Sequence, residues 1–168
     1  MIRVRWFAKK MDDAFKVYVE QLRDGHEETI DEAFDPGFLD IAEPDLRFDK
    51  PVLLKGVAYL ADQELVLHWD IRTEVLLPCS ICNESVRVSI HVGNFYHSES
   101  LEKIKSGIYN FETLLRETIL LEAPFFAECH EGICPRRREY GKYLKESSHS
   151  SSDQDEGYRP FADVDWKL

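Results

Sequence analysis

The sequence contains no hydrophobic run long enough to cross a membrane, and it lacks the apolar middle of a signal peptide. A membrane helix requires roughly 20 consecutive apolar residues, so no spanning segment is predicted. The first seven residues instead alternate charged and bulky side chains, which is not the pattern of an export signal. We therefore expect a cytoplasmic protein in a reducing compartment.

Cysteine is scarce, with four cysteines in 168 residues. Without an export signal, so few cysteines indicate metal binding or thiol chemistry rather than a framework of structural disulfides. Motifs of catalysis are also missing: there is no glycine-rich phosphate loop, no Gly-x-Ser-x-Gly element and no acidic pair in an apolar setting. We therefore predict that the protein is not an enzyme, and no small-molecule substrate is evident.

Basic residues are fewer than acidic ones: 21 lysines and arginines and 32 aspartates and glutamates give a net charge of −11. A protein that binds nucleic acid over its whole surface is normally basic, so nonspecific electrostatic binding of RNA or DNA is disfavoured. The charge is unevenly distributed, however. Residues 24–49 carry a local charge of −9, whereas residues 135–146 carry +3. With 43% hydrophobic and 12% aromatic residues, the chain is typical of a globular protein.

Alternation of apolar and polar residues dominates the middle of the chain. A period of two predicts strands over residues 52–60, 65–75 and 86–92. The link between the last two strands is so short that they must form an antiparallel hairpin. Cys79 and Cys82 are therefore predicted to lie at the tip of that hairpin.

The N-terminal part is less clearly patterned. Residues 2–6 alternate like a strand, and residues 15–22 fit both a strand and a helix, with their β-branched content favouring strand. The acidic residues 25–51, with a turn signal at residues 35–37, are predicted to be a surface loop with short elements.

A helix is predicted over residues 111–119, where apolar residues recur at intervals of three and four. Asn110 is a suitable N-cap, and Pro124 marks the end of the helix. The sequence thus predicts an α+β fold, mostly antiparallel sheet, with the long cysteine-tipped hairpin and one or two helices in the C-terminal half.

Three segments make up the predicted domain organisation. Residues 1–145 form a single β-rich domain with the C-terminal helix and a zinc knuckle. Residues 146–157 contain no apolar residue and are predicted to be a disordered linker. Residues 158–168 turn apolar again and form a tail, predicted either to dock on the domain or a partner or to stay disordered.

The four cysteines fall into two pairs, Cys79-x2-Cys82 and Cys129-x4-Cys134. Tetrahedral zinc needs four soft ligands, and two short loops with two thiolates each can supply them. A structural zinc site is therefore the favoured hypothesis. Ordinary buried cysteines remain an alternative, as does thiol redox chemistry, although thioredoxin-type motifs place their nucleophilic cysteine at a helix N-terminus and this motif precedes a strand.

A compact basic segment follows the last cysteine and is the candidate RNA contact. Its cations are Arg136, Arg137, Arg138, Lys142 and Lys145. A loop held by metal would present the three arginines from a fixed base, and neighbouring tyrosines could stack on bases. The alternative is a solvated basic face that balances the acidic stretch.

Five segments occur in an order that resembles a known family, namely residues 77–84 (LPCSICNE), 111–121 (FETLLRETILL), 123–124 (AP), 132–135 (GICP) and 159–162 (RPFA). This order resembles the YceD family, the bacterial and plastid proteins called large ribosomal RNA subunit accumulation protein, from about residue 52 onward. The resemblance implies a role in accumulation or processing of 23S rRNA during large-subunit assembly, without a known catalytic activity.

The chain departs from the fullest form of the family pattern, in which further cysteines follow the Gly-x-Cys-Pro element. Here three arginines follow Pro135, so one four-cysteine site is predicted and a second is excluded. Two functions stay open. The protein is expected to be an assembly factor that binds large-subunit rRNA or a basic ribosomal protein, or else an acidic, zinc-stabilised interaction scaffold that binds a basic partner and is unrelated to RNA.

Overall fold

The computed structural model describes residues 11–140 of the chain. The predictions for residues 2–6, for Lys142 and Lys145, for the linker and for the tail lie outside the described residues. Backbone contacts divide the chain into two units, Met1–Arg137 and Arg138–Leu168. Only residues 138–140 of the second unit are described.

Residues 11–140 contain six strands, four short or medium helices and two 3-10 turns. The strands are β1 (Lys16–Tyr18), β2 (Glu28–Phe34), β3 (Val52–Ala61), β4 (Glu64–Pro78), β5 (Ser85–Ser100) and β6 (Ile108–Asn110). The helices are α1 (Met11–Ala14), α2 (Glu112–Glu122), α3 (Cys129–Gly132) and α4 (Arg137–Tyr140), and the 3-10 turns are Val19–Gly25 and Pro36–Leu39. No helix among these residues is both long and apolar enough to cross a membrane.

A four-stranded antiparallel sheet of order β2-β3-β4-β5 forms the centre of the first unit. Strands β4 and β5 build the long hairpin, with Cys79 and Cys82 in the connection between them. A separate two-stranded ribbon joins β1 to β6. The predicted α+β fold with a cysteine-tipped hairpin is confirmed.

The core lies between the inner face of this sheet and helix α2. The inner residues of β4 are those that the alternation identified, and all are buried: Leu65, Leu67, Trp69, Ile71 and Val75. Helix α2 covers them with Leu115 and Ile119, preceded by Phe111, whose ring centroid lies 4.9 Å from that of Trp69. Burial of such side chains contributes about 1.5–3 kcal/mol each, so this contact stabilises the fold.

Helix α2 is present, but it spans Glu112–Glu122 where residues 111–119 were predicted, and its N-cap position is Phe111 and not Asn110. The side-chain oxygen of Asn110 accepts a hydrogen bond of 2.9 Å from the backbone N–H of Glu112, satisfying a donor that the first turn cannot pair. The helix ends at Glu122, two residues before Pro124, whose ring is incompatible with a continuing helix. The chain after Pro124 then turns back toward the hairpin tip.

The acidic residues 25–51 differ from the prediction, because they include the full strand β2 at the edge of the sheet. Only Ile30 and Phe34 of this strand are buried, four residues apart, so the period of two is hidden. The exposed acidic side chains of an edge strand discourage further pairing, which explains its loop-like composition. The predicted turn is present: the Asp35 carboxylate accepts a hydrogen bond of 2.8 Å from Gly37 N–H.

The ambiguous residues 15–22 are only partly a strand. Strand β1 covers Lys16–Tyr18, and the chain then enters the 3-10 turn Val19–Gly25. Both interpretations of the apolar pattern were therefore half right. The residues they share, Phe15 and Val19, are buried, as are Val17 and Leu22.

Candidate metal centre

The hairpin tip and the loop after α2 bring all four cysteines together. Their sulfur atoms lie within 4.8 Å of one another, although 46 residues separate the two pairs. Cys79, Cys129 and Cys134 are buried, and Cys82 is partly exposed. The predicted convergence of the pairs is confirmed, and the cluster could hold a metal ion.

The hairpin tip is folded by its own backbone. The N–H of Cys79 donates to the carbonyl of Glu84 over 2.8 Å, and the N–H of Asn83 donates to the carbonyl of Cys79 over 2.9 Å. Asn83 adopts a left-handed backbone with φ of 60°, which asparagine tolerates better than most residues. This tight turn places the side chains of Cys79 and Cys82 on the same side of the tip.

The second loop reverses direction through three consecutive left-handed residues. His130, Glu131 and Gly132 have φ of 52°, 54° and 90°. Such a conformation is costly for residues with a Cβ atom, so the surrounding contacts must maintain it. The reversal returns Cys134 to the neighbourhood of Cys129, and both side chains then face the hairpin tip.

A backbone clamp joins the two loops directly. The carbonyl of Ala127 accepts hydrogen bonds from the N–H of Ser80 (2.8 Å) and from its hydroxyl (3.0 Å). Cys79 and Ala127 also form an isolated parallel β-bridge. Ile81 and Val86 pack beside the cysteines and give the centre a small apolar shell, and Val86 also packs against the main core.

The electrostatics of the cluster favour a thiolate at Cys79. The backbone N–H of Cys129 donates to Cys79 Sγ over 3.4 Å. This N–H first, with those of Cys82 and Ile81, lowers the pKa of Cys79 to about 6 against the effect of burial. Burial, together with neighbouring sulfurs, raises the pKa of Cys129. Cys82 Sγ and Cys129 Sγ are 3.7 Å apart, far beyond the ~2.05 Å of a disulfide bond.

A thioredoxin-like arrangement is not present at the hairpin tip. The Cys79–Cys82 segment leads into strand β5 and not into a helix. The hairpin tip therefore does not offer the helix dipole that lowers the pKa of a redox cysteine. The lowered pKa of Cys79 comes mainly from the N–H of Cys129, the first residue of the short α3, in which His130 and Glu131 are not helical.

The predicted basic contact is only partly described. Arg136, Arg137 and Arg138 are exposed, and the guanidinium of Arg137 forms an ion pair with Glu128. The pair links Arg137 to the residue that precedes Cys129. RNA binding by this segment stays a prediction.

Sequence reasoning missed two exposed aromatic residues beside the centre. Phe125 and Phe126 are 92% and 82% exposed, between the end of α2 and the clamped residue Ala127. Leu121 and Ile133, in the same part of the chain, are also largely exposed. Two adjacent phenylalanines directly after a helix-ending proline were the available signal, because no amphipathic pattern continues there to bury them.

Comparisons with known proteins give no support for a particular family. No protein-family model, characterised protein or solved structure matches this chain. The cysteine cluster and its surroundings therefore provide the structural basis for a functional hypothesis.

Proposed function

We propose that this protein is a zinc-stabilised, non-catalytic binding factor of the cytoplasm that supports accumulation of 23S rRNA during assembly of the large ribosomal subunit. The observation that carries the zinc assignment is the geometry of the four sulfurs. A tetrahedral site with zinc–sulfur bonds of about 2.3 Å separates its sulfurs by about 3.8 Å. The 3.7 Å between Cys82 Sγ and Cys129 Sγ fits that value, and slight closure of the cluster from its 4.8 Å limit would complete it.

The ligand set favours a structural role for the metal. Four thiolates fill all positions of a tetrahedron, whereas catalytic zinc keeps one position open for water or substrate. Three of the four cysteines are buried, and the clamp between Ser80 and Ala127 fixes both loops around them. The metal would thus hold the hairpin tip against the segment that follows α2.

The ribosomal role is proposed on the family resemblance alone. The segments 77–84, 123–124 and 132–135 are distant in sequence but all belong to the metal centre or adjoin it. A single zinc-held unit would explain why these segments occur together. The acidic interaction scaffold unrelated to RNA is the competing function.

Co-sedimentation with ribosomal precursors tests this function. The tagged full-length protein should sediment with precursors of the large subunit, and its depletion should lower mature 23S rRNA. Sedimentation only as free protein, together with normal 23S rRNA after depletion, would reject the ribosomal role. Co-purification on the tag after nuclease treatment separates binding to rRNA, which the treatment abolishes, from binding to a ribosomal protein.

A further inference from the structure

We propose that Phe125 and Phe126 form an anchor pair that, with the groove beside Phe125, docks an apolar segment of a basic protein. This inference rests on the proposed function and names the partner of the same assembly factor. The chemistry that would be recognised is an apolar side chain flanked by lysine or arginine, as basic proteins of a ribosomal particle present it.

The exposure of the pair is the first observation. Scattered apolar residues are normal on a protein surface, but adjacent large apolar groups mark interaction sites. The two rings, at 92% and 82% exposure, are the most exposed aromatic side chains among residues 13–140. Aromatic residues are also the usual energetic centres of protein interfaces.

The second observation is that the pair is presented on a short segment fixed at both ends. Pro124, with its restricted φ, stands on one side. On the other side the carbonyl of Ala127 is held by two hydrogen bonds from Ser80, and Cys129 belongs to the metal centre. Segments held in this way lose little conformational entropy on binding. The metal centre would therefore keep the anchor pair preorganised.

The third observation is the groove that Phe125 borders, with a volume of about 390 Å³. Its apolar walls include Leu46, Leu77, Leu120 and Pro124. Its charged lining residues are Glu43 and Asp45, both acidic and neither in an ion pair within the described residues. An apolar side chain can enter such a groove while neighbouring cations meet the two carboxylates.

The acidic residues at the rim of the groove favour a basic protein over RNA as the partner. Glu43 and Asp45 belong to the stretch 24–49, whose charge is −9. Phosphate groups would be repelled at this rim, whereas a basic protein would be attracted and oriented. The groove and the anchor pair therefore fit a basic protein better than RNA.

The test compares full-length variants for co-sedimentation with large-subunit precursors. Phe125→Ser/Phe126→Ser removes the anchor pair, and Tyr96→Ser, an exposed aromatic on β5, is its matched control. Glu43→Lys/Asp45→Lys reverses the charge of the rim, and Glu64→Lys/Glu102→Lys makes the same charge change at two exposed positions outside the acidic stretch. We expect at least a tenfold loss of the sedimenting fraction for the anchor and rim variants and none for the controls, at unchanged zinc content and melting temperature.

The partner is identified by photo-crosslinking in cells with Phe126→p-benzoylphenylalanine in the full-length chain. Crosslinks to one basic ribosomal protein, lost on Glu43→Lys/Asp45→Lys, support the inference. Crosslinks to RNA, to a second copy or within the same chain overturn it, as does a double phenylalanine variant that sediments like the wild type. If the wild type itself does not sediment with precursors, the proposed function fails and this inference fails with it.

Discussion

Ser80 and Ala127 lie 47 residues apart in the chain but are joined by two hydrogen bonds, because the N–H and the hydroxyl of Ser80 both donate to the Ala127 carbonyl. This clamp lies between the two cysteine pairs and aligns Cys79 with the segment that follows α2. The two loops are therefore joined by hydrogen bonds, and the proposed metal ion would join them through the four sulfurs as well.

Removal of one sulfur should release the metal and lower the melting temperature. Zinc contributes on the order of 10 kcal/mol in small peptide sites. If a third of that stabilisation applies in this larger domain, Cys129→Ser lowers the free energy of unfolding by about 3 kcal/mol and the melting temperature by roughly 6–12 °C. Cys82→His is the control, because imidazole can replace thiolate as a zinc ligand. Equal zinc content and melting temperature in wild type and Cys129→Ser would contradict the metal assignment.

The zinc-free protein should contain one thiolate at unusually low pH. The lowered pKa of Cys79, about 6, means that its ionised form is stabilised in the folded state by the N–H of Cys129. That stabilisation is present above the unfolded thiol pKa of about 8.5 and is lost as the pH falls through about 6. Absorbance at 240 nm should show this first titration step, and Cys79→Ser should remove it. A first step near 8.5 in the wild type would be inconsistent with the hydrogen bond.

Gly56 in β3 should not tolerate a side chain. A Cβ atom at this position would lie 2.1 Å from the carbonyl oxygen of His68 and 2.7 Å from a ring carbon of Trp69. Because the nearest atom belongs to the neighbouring strand, Gly56→Ala should cost about 1–3 kcal/mol. Gly93→Ala is the matched control, since its Cβ would meet ordinary contacts at 3.5 Å. Chemical denaturation measures the free energy of unfolding of both variants. Equal values for Gly56→Ala and Gly93→Ala would show that β3 and β4 are not so closely paired.

The basic segment should contact RNA through Arg136 and Arg138. Each phosphate contact adds about 0.7 to 0.9 to the dependence of log affinity on log salt. Arg136→Glu/Arg138→Glu should therefore weaken binding to large-subunit rRNA fragments and reduce that slope by about 1.5, whereas Lys50→Glu/Lys105→Glu should not. Arg137 is left unchanged because it pairs with Glu128 next to Cys129. Unchanged affinity and slope would show that Arg136 and Arg138 do not contact RNA.

The central strands and the cysteine cluster could be predicted because strong local chemistry determines them. Alternation identified the inner face of β4, and the short link placed Cys79 and Cys82 at the hairpin tip. The meeting of this pair with Cys129 and Cys134 followed from the preference of metals for four soft ligands.

Features set by tertiary context could not be predicted in the same way. Strand β2 has an acidic edge with only Ile30 and Phe34 buried, so its pairing with β3 left little trace in the sequence. In β5, Gly93 and Asn94 lie opposite Asp70 and form a bulge, which moves Phe95 onto the inner face opposite Trp69. The bulge shifts the alternation of apolar and polar residues by one position. The part of β5 that follows the bulge therefore does not continue the period of two, and the sequence pattern does not identify it as strand.

X-ray absorption at the zinc edge of the natively purified full-length protein determines which atoms bind the metal. We expect one zinc per chain with four sulfur ligands at about 2.3 Å and no oxygen or nitrogen ligand. Protein that is purified without metal under reducing conditions and binds none on addition of zinc, or a zinc shell with fewer than four sulfurs, would contradict this expectation.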